Sequence, residues 1–296
     1  MQCGLFGRKL GHSYSPQIHA MLGSYGYALF EKEPEALEDF LKNGNFTGLN
    51  VTIPYKKDVI PFLDELSDRA KRLGAVNTIV RKPDGRLIGH NTDYFGFETM
   101  LADSGIDVQG KKALVCGSGG ASNTAVAVLR EHGAHVVILS RSGPDNYQNL
   151  ERHTDAALIV NATPVGMYPN VDGAAIEDLS LFPKLEGVLD LIYNPARTKI
   201  LLAAEKQGLK TENGLKMLVA QAKESAEWFT GAKIDDGVIS TIYSSLWAQM
   251  ENVILIGMPG CGKTTVGTHE ELLAAVPAYR QLYESQTGGQ QHENEP

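Results

Sequence analysis

Lys56 and Asp93 form a titratable pair set among residues able to surround a polar ligand. The first hundred positions carry short polar side chains between apolar ones: Ser13-Tyr14-Ser15, Asn50-Val51-Thr52, Asn77-Thr78 and Asn91-Thr92-Asp93. Hydroxyls and amides both donate and accept hydrogen bonds, so a ring of them suits a ligand rich in hydroxyl groups. Oxidising an alcohol by hydride transfer requires a proton to leave the oxygen, and the reverse reaction requires one to arrive. A lysine beside a carboxylate can supply it. Each residue also has a structural reading. Ser15 before Pro16 reads as an N-cap followed by a proline at the first helical position. Asn50 and Asn91 can brace turns, Lys56-Lys57 can be a solvated pair, and Asp93 can cap a helix over 94–101. Taken singly the two readings balance; taken together the residues favour a site.

A second chemistry is written in Gly117-Ser118-Gly119-Gly120-Ala121, which follows the apolar strand pattern of 111–116 and opens a helix to about 132. Strand, glycine turn and helix give tight-turn glycines, close backbone approach to a pyrophosphate, and amides aimed at negative charge. The G-x-G-x-x-G match is imperfect, because Ser122 stands at the third glycine. At the next strand tip, Leu139-Ser140-Arg141-Ser142, no acid appears until Asp145. An acid there would hold the ribose of NAD, whereas Arg141 suits a 2′-phosphate and predicts NADP.

These residues need elements to hold them. Short apolar runs alternate with helical patterns: strands at 3–7 and 48–53, helices at 16–23 and 34–43. Beyond the glycine turn, strands at 135–139, 157–161 and 187–192 are spaced for parallel crossovers. The spacing predicts an α/β protein with an N-terminal α/β substrate domain over 1–100 and a Rossmann-type, doubly wound dinucleotide-binding domain over 101–211. Two amphipathic helical patterns, 214–229 and 235–250, are expected to fold back on the first domain and complete it through 212–250. From Glu251 the character changes. Gly257-Met258-Pro259-Gly260-Cys261-Gly262-Lys263-Thr264 matches a phosphate-binding loop, G-x-x-x-x-G-K-T, yet the chain after it is far shorter than a nucleotide kinase needs. Residues 251–296 therefore read as a truncated remnant with a disordered Gly/Gln-rich tail.

Bulk composition bounds the function. A net charge of −8 and no Lys/Arg run argue against nucleic-acid binding, which needs a basic face. Three cysteines, Cys3, Cys116 and Cys261, are too scattered for a metal or redox motif, so no metal site is expected and the thiols read as reduced. No apolar run approaches the roughly 20 residues of a membrane span. No signal-type apolar run follows Arg8 and Lys9, and a cytoplasmic location is expected.

Across about residues 2 to 248 the chain resembles the shikimate dehydrogenase family. The matching motifs, in order, are Gly11-His12-Ser13-Tyr14-Ser15-Pro16, Gly48-Leu49-Asn50-Val51-Thr52-Ile53-Pro54-Tyr55-Lys56, Gly74-Ala75-Val76-Asn77-Thr78 and Gly89-His90-Asn91-Thr92-Asp93. They continue in the glycine turn, Asn161-Ala162-Thr163-Pro164-Val165-Gly166-Met167, and Gly214-Leu215-Lys216-Met217-Leu218-Val219-Ala220-Gln221. The resemblance implies NADP-dependent reduction of 3-dehydroshikimate to shikimate by a monomer or homodimer. Ser13 and Ser15 would hold the substrate carboxylate. Thr52, Asn77 and Gln221 would contact ring hydroxyls or brace the site. Lys56 and Asp93 would be the catalytic pair, with Gly117, Gly119, Gly120, Ala121, Arg141, Thr163 and Gly166 on the cofactor side. Two departures stand out. Ala20 follows His19 where the family has asparagine, and Ser140-Arg141-Ser142 replaces Asn-Arg-Thr. The stretch 251–267 resembles the opening of shikimate kinase, and 267–285 looks like the end of an ABC-transporter nucleotide-binding domain. A quinate or broader cyclitol dehydrogenase using NAD, and an ATP-binding kinase module built on Lys263, are the alternatives.

Overall fold

The computed structural model describes residues 1–11 and 13–250, and the backbone of 253–257 and 264–268. The chain divides into two compact units, residues 1–243 and 244–296. In chain order the first unit begins with β1 (Gln2–Gly7), α1 (Ser15–Leu22), β2 (Gly26–Glu31), α2 (Leu37–Asn43), β3 (Gly48–Val51), β4 (Glu65–Leu66), α3 (Asp68–Leu73), β5 (Thr78–Arg81), β6 (Leu87–His90) and α4 (Asp93–Ser104). Its strands form one mixed sheet in the order β2-β1-β3-β5-β6-β4. β1 runs parallel to both β2 and β3, while β5 is antiparallel to β3 and to β6. Register matters here: Asn50 faces Thr78, and Thr78 faces His90, so the polar residues that end these strands gather at one edge.

There follow β7 (Lys112–Cys116), α5 (Gly120–Glu131), β8 (His135–Leu139), β9 (Leu158–Asn161), β10 (Gly187–Asp190), α6 (Lys199–Lys206) and β11 (Lys210–Asn213). These strands make an all-parallel sheet in the order β11-β10-β9-β7-β8. The sheet reaches Asn213, two residues past the boundary at 211 that the sequence suggests. Both faces are covered, as parallel sheets require. Ala113 and Val115 of β7 join the core against α4 and α5, while Leu114 and Cys116 join the opposite core with Ile200, Leu201 and Ala204 of α6. The strand order reverses between β7 and β9, which is where doubly wound sheets bind ligands.

The chain then returns. α7 (Leu215–Thr230) packs along α4 and α1, placing Met217, Leu218 and Gln221 against the first sheet's residues. Of α8 (Gly237–Met250), Ile239 and Ile242 are buried, and Tyr243 lies under the Lys216 ammonium at 4.5 Å. This return is tight at its start. A Cβ on Gly214 would sit 2.1 Å from the Leu191 carbonyl oxygen.

In the second unit β12 (Val253–Gly257) and β13 (Thr264–Thr268) pair antiparallel, with Gly257 facing Thr264. A nucleotide-binding phosphate loop feeds a helix whose first amides meet the phosphate, whereas here Thr264 opens a strand. Met258–Lys263 and the tail expected to be disordered lie outside the described residues. Among the described residues no helix is long and apolar enough to cross a membrane. Replacing Gly214 by alanine is expected to destabilise the chain by about 1–3 kcal/mol through overpacking on Leu191. Urea unfolding measures it, and an unchanged midpoint counts against that packing.

Candidate active site

A cavity of about 230 Å³ opens between the polar edge of the first sheet and the C-terminal ends of the second. Ser13, Ser15, Thr52, Lys56, Asn77, Asp93 and Gln221 line it, so the structure brings together every residue assigned to catalysis or substrate in the sequence. Ala121 of the glycine turn lines it too.

Asp93 is the first residue of α4, where an acid is favoured by the helix dipole. Its carboxylate does not cap that helix. Oδ2 receives Lys56 Nζ at 2.7 Å, and Oδ1 receives Asn77 Nδ2 at 2.9 Å. Lys56 is thus no solvated lysine: its side chain is 22% exposed against 11% for Asp93. Asn77 is itself fixed, because the Thr92 amide donates to its Oδ1 at 2.7 Å. Asn50 braces no turn. Its amide nitrogen donates to Ser225 Oγ at 2.7 Å, and its oxygen accepts from Tyr27 OH at 2.8 Å. Ser225 also contacts Thr78 and Thr92 hydroxyls at 2.9 and 3.0 Å. Asn91 keeps its structural reading, donating to the Ala75 carbonyl and accepting from the Tyr94 amide. Ser15 begins α1 without acting as its N-cap; that position is Tyr14, which makes no side-chain cap bond, and the Ser15 amide donates to Ser13 Oγ at 3.2 Å.

On the cofactor side, Gly117 has φ +103°, and a Cβ there would press on Ala162 O and Thr163 Cγ2 at 3.1 Å. Only glycine suits both demands. Beside Gly119 and Gly120 a Cβ would meet nothing within 4 Å, so backbone lies open at the start of α5, whose N-cap Gly119 offers no side-chain cap. First-turn amides left without a cap suit a pyrophosphate. Ser122 replaces the third glycine without cost, fully buried with its hydroxyl donated to the Gly117 carbonyl at 2.7 Å. Thr163 hydrogen-bonds Asn161 and braces the loop after β9. Gly166, at φ +94°, lines a separate open hollow of about 460 Å³ with Pro164, Val165, Pro169 and Asp172. Arg141 is exposed at the tip after β8, outside both hollows. The nearby acid is committed: Asp145 takes His153 Nε2 at 3.0 Å.

The chain matches the family model described as the shikimate dehydrogenase substrate-binding domain over residues 5–79. It is 38% identical to a shikimate dehydrogenase (NADP(+)) from Clostridium perfringens, over 82% of this chain and 97% of that one. It belongs to the shikimate dehydrogenase family. The crystal structure of shikimate dehydrogenase 1 from Peptoclostridium difficile superposes with a TM-score of 0.76 at 39% identity, over 84% of this chain and 99% of that one. Shikimate 5-dehydrogenase from Thermus thermophilus, solved in complex with NADP(H) and shikimate, gives 0.73 at 31% identity, over 83% and 99%.

Several residues of this family member's cavity escape a reading of the sequence. Tyr193, Leu191 and Gly214 line it from the second sheet, and Leu5 and Met217 close it. Tyr193 packs edge-on to Tyr14 with centroids 5.9 Å apart, bridging the two sheets beside Ser13 and Ser15. The available signal was position: Tyr193 lies just past the C-terminal end of β10, the ligand-binding edge of such sheets. His90, in the same motif as Asp93, is buried and stacked on Trp228 at 3.7 Å, and neither ring nitrogen has a partner among the described residues. Burial, with a smaller push from Lys82, lowers its pKa to about 4. The ordinary value is about 6.5, so between pH 6.5 and 4 the unfolded chain binds more protons and stability falls as the pH drops. The loss assigned to His90 reaches roughly 3 kcal/mol. Urea midpoints across that range should fall less steeply for His90→Phe than for the unaltered chain, and parallel curves would remove the assignment.

Proposed function

We propose that this chain reduces 3-dehydroshikimate to shikimate with NADPH, and runs the reverse reaction with NADP. What carries this reading is one cavity lined by the Lys56–Asp93 pair, by hydroxyl and amide side chains, and by Ala121 of the glycine turn. The glycine turn fits the dinucleotide: positive-φ Gly117, open backbone at Gly119 and Gly120, and α5 beginning there. Gly117, Gly119, Gly120 and Ala121 would hold the pyrophosphate, Arg141 the 2′-phosphate, and Thr163 and Gly166 the loop beside the nicotinamide. When bound, NADPH supplies the hydride that reduces the ring ketone.

The chain's own residues supply the rest. Ser13 and Ser15 hold the substrate carboxylate, and Thr52, Asn77 and Gln221 hold ring hydroxyls. Lys56 points its ammonium at the ketone oxygen, stabilises the charge that develops there and gives it a proton. Asp93 keeps the ammonium in place and accepts from a neighbouring hydroxyl. Residues 1–100, completed by the helices within 212–250, form the substrate side, and 101–211 the cofactor side. The buried, unpaired thiols of Cys3 and Cys116 support a reducing, cytoplasmic setting, where the enzyme acts as a monomer or homodimer.

Lys56→Ala is expected to lower kcat by about two orders of magnitude or more while NADPH affinity changes little. A variant with near-normal turnover removes the proton-donor role. Arg141→Ala should raise the KM for NADP by about tenfold and leave that for NAD unchanged, because only the 2′-phosphate contact is lost. Following NADPH and then NADH formation with shikimate and with quinate tests the substrate and cofactor together. Faster turnover of quinate with NAD overturns the reading.

A further inference from the structure

Beside the start of α4, outside the residues that line the pocket, lies a cluster that the proposed chemistry does not use. Tyr94 follows Asp93 directly and is buried, and its phenol donates to the Glu131 carboxylate. The other Glu131 oxygen takes Arg72 Nη1 at 2.5 Å. Arg69 lies over the Tyr94 ring at 4.5 Å and donates to Glu224 Oε1 at 2.9 Å. Four helices meet there: α3 through Arg69 and Arg72, α4 through Tyr94, α5 through Glu131 and α7 through Glu224.

Glu131 is the last residue of α5. An acid at a helix C-terminus opposes the partial negative charge of that end, so local helix energetics do not favour it. Arg72 and Tyr94 offset the conflict from other elements. The position therefore makes sense as a tertiary contact. α5 starts in the glycine turn and spans 12 residues, a rod of about 18 Å. α4 starts at Asp93. Each rod thus carries one half of the chemistry at one point and one half of the clasp at another.

We propose that the Tyr94–Glu131–Arg72 clasp is a positioning device that sets where the glycine turn stands relative to the Lys56–Asp93 pair. It rests on the oxidoreductase reading above. None of the three residues lines the cavity, and the partners of Asp93, Lys56 and Asn77, are not members of the clasp. Losing the clasp therefore leaves each binding site intact and disturbs their mutual register, to which hydride transfer is sensitive.

The test uses Tyr94→Phe, Glu131→Gln and Glu131→Ala in the full chain. Tyr94→Phe keeps the ring under Arg69, and Glu131→Gln keeps an acceptor for the phenol, so both should fold normally. Calorimetric affinities for NADP alone and for shikimate alone are expected to stay within about twofold, while kcat falls about three- to tenfold. Glu131→Gln should fall between the unaltered chain and Glu131→Ala. The gain in NADP affinity caused by shikimate should shrink in the same order. Unchanged kcat in all three variants overturns the proposal, and so do single-ligand affinities that fall as much as kcat. An unaltered chain that binds both ligands without turnover sinks the oxidoreductase reading instead, and the ligand-coupling ratio then decides the clasp.

Discussion

A lysine ammonium near a carboxylate has no fixed direction unless the carboxylate itself cannot turn. Asp93 is pinned on both oxygens, one by Lys56 and one by Asn77, at the first residue of a helix. Hydrogen bonds to charged groups are each worth about 1.5–3 kcal/mol, so the arrangement resists rotation. Asn77 depends in turn on Thr92, Thr92 on Ser225, and Ser225 on Asn50, which Tyr27 holds from β2. With Thr78, which contacts Thr92 and Ser225, this chain of side chains ties β2, β3, β5 and α7 to the start of α4. The pairing of Asn50 with Thr78 and of Thr78 with His90 sets its register. A slip of one residue in either pairing would turn that polar row to the other face.

The second sheet answers a different constraint. Its strand order reverses between β7 and β9, and the gap left there is filled by backbone: the Gly117 turn against Ala162 and Thr163. Close approach of two main chains excludes a side chain, which fixes glycine at that point, while Gly119 and Gly120 leave an open face. Pocket and turn then share a wall through Ala121.

The sequence makes legible those features in which local backbone demands restrict residue choice. The glycine turn is one, since its positive φ and tight packing leave glycine as the natural occupant. The covered parallel sheet is another, readable from unbroken apolar runs such as Ala113–Cys116. Lys56 and Asp93 came from a joint pattern of motifs. Ser225 and Tyr27 left no trace, because their value lies in partners up to 175 positions away. Short-range rules also misled. Serine before proline suggested a cap at Ser15, but the helix had already begun there. On both sides of the phosphate-loop signature β-branched residues favour strand, and 253–257 pairs antiparallel with 264–268.

The return of α7 to the first sheet has a temporal side. The dinucleotide sheet is drawn from one continuous stretch, 112–213, so all of its strands precede α7 in the chain. The opening hundred residues carry an apolar core of their own, yet their polar row lacks Ser225 and their pocket lacks Gln221 until α7 is made. The site therefore closes only once a helix made after both sheets has come back to the first of them, a contact of the long sequence separation that slows folding.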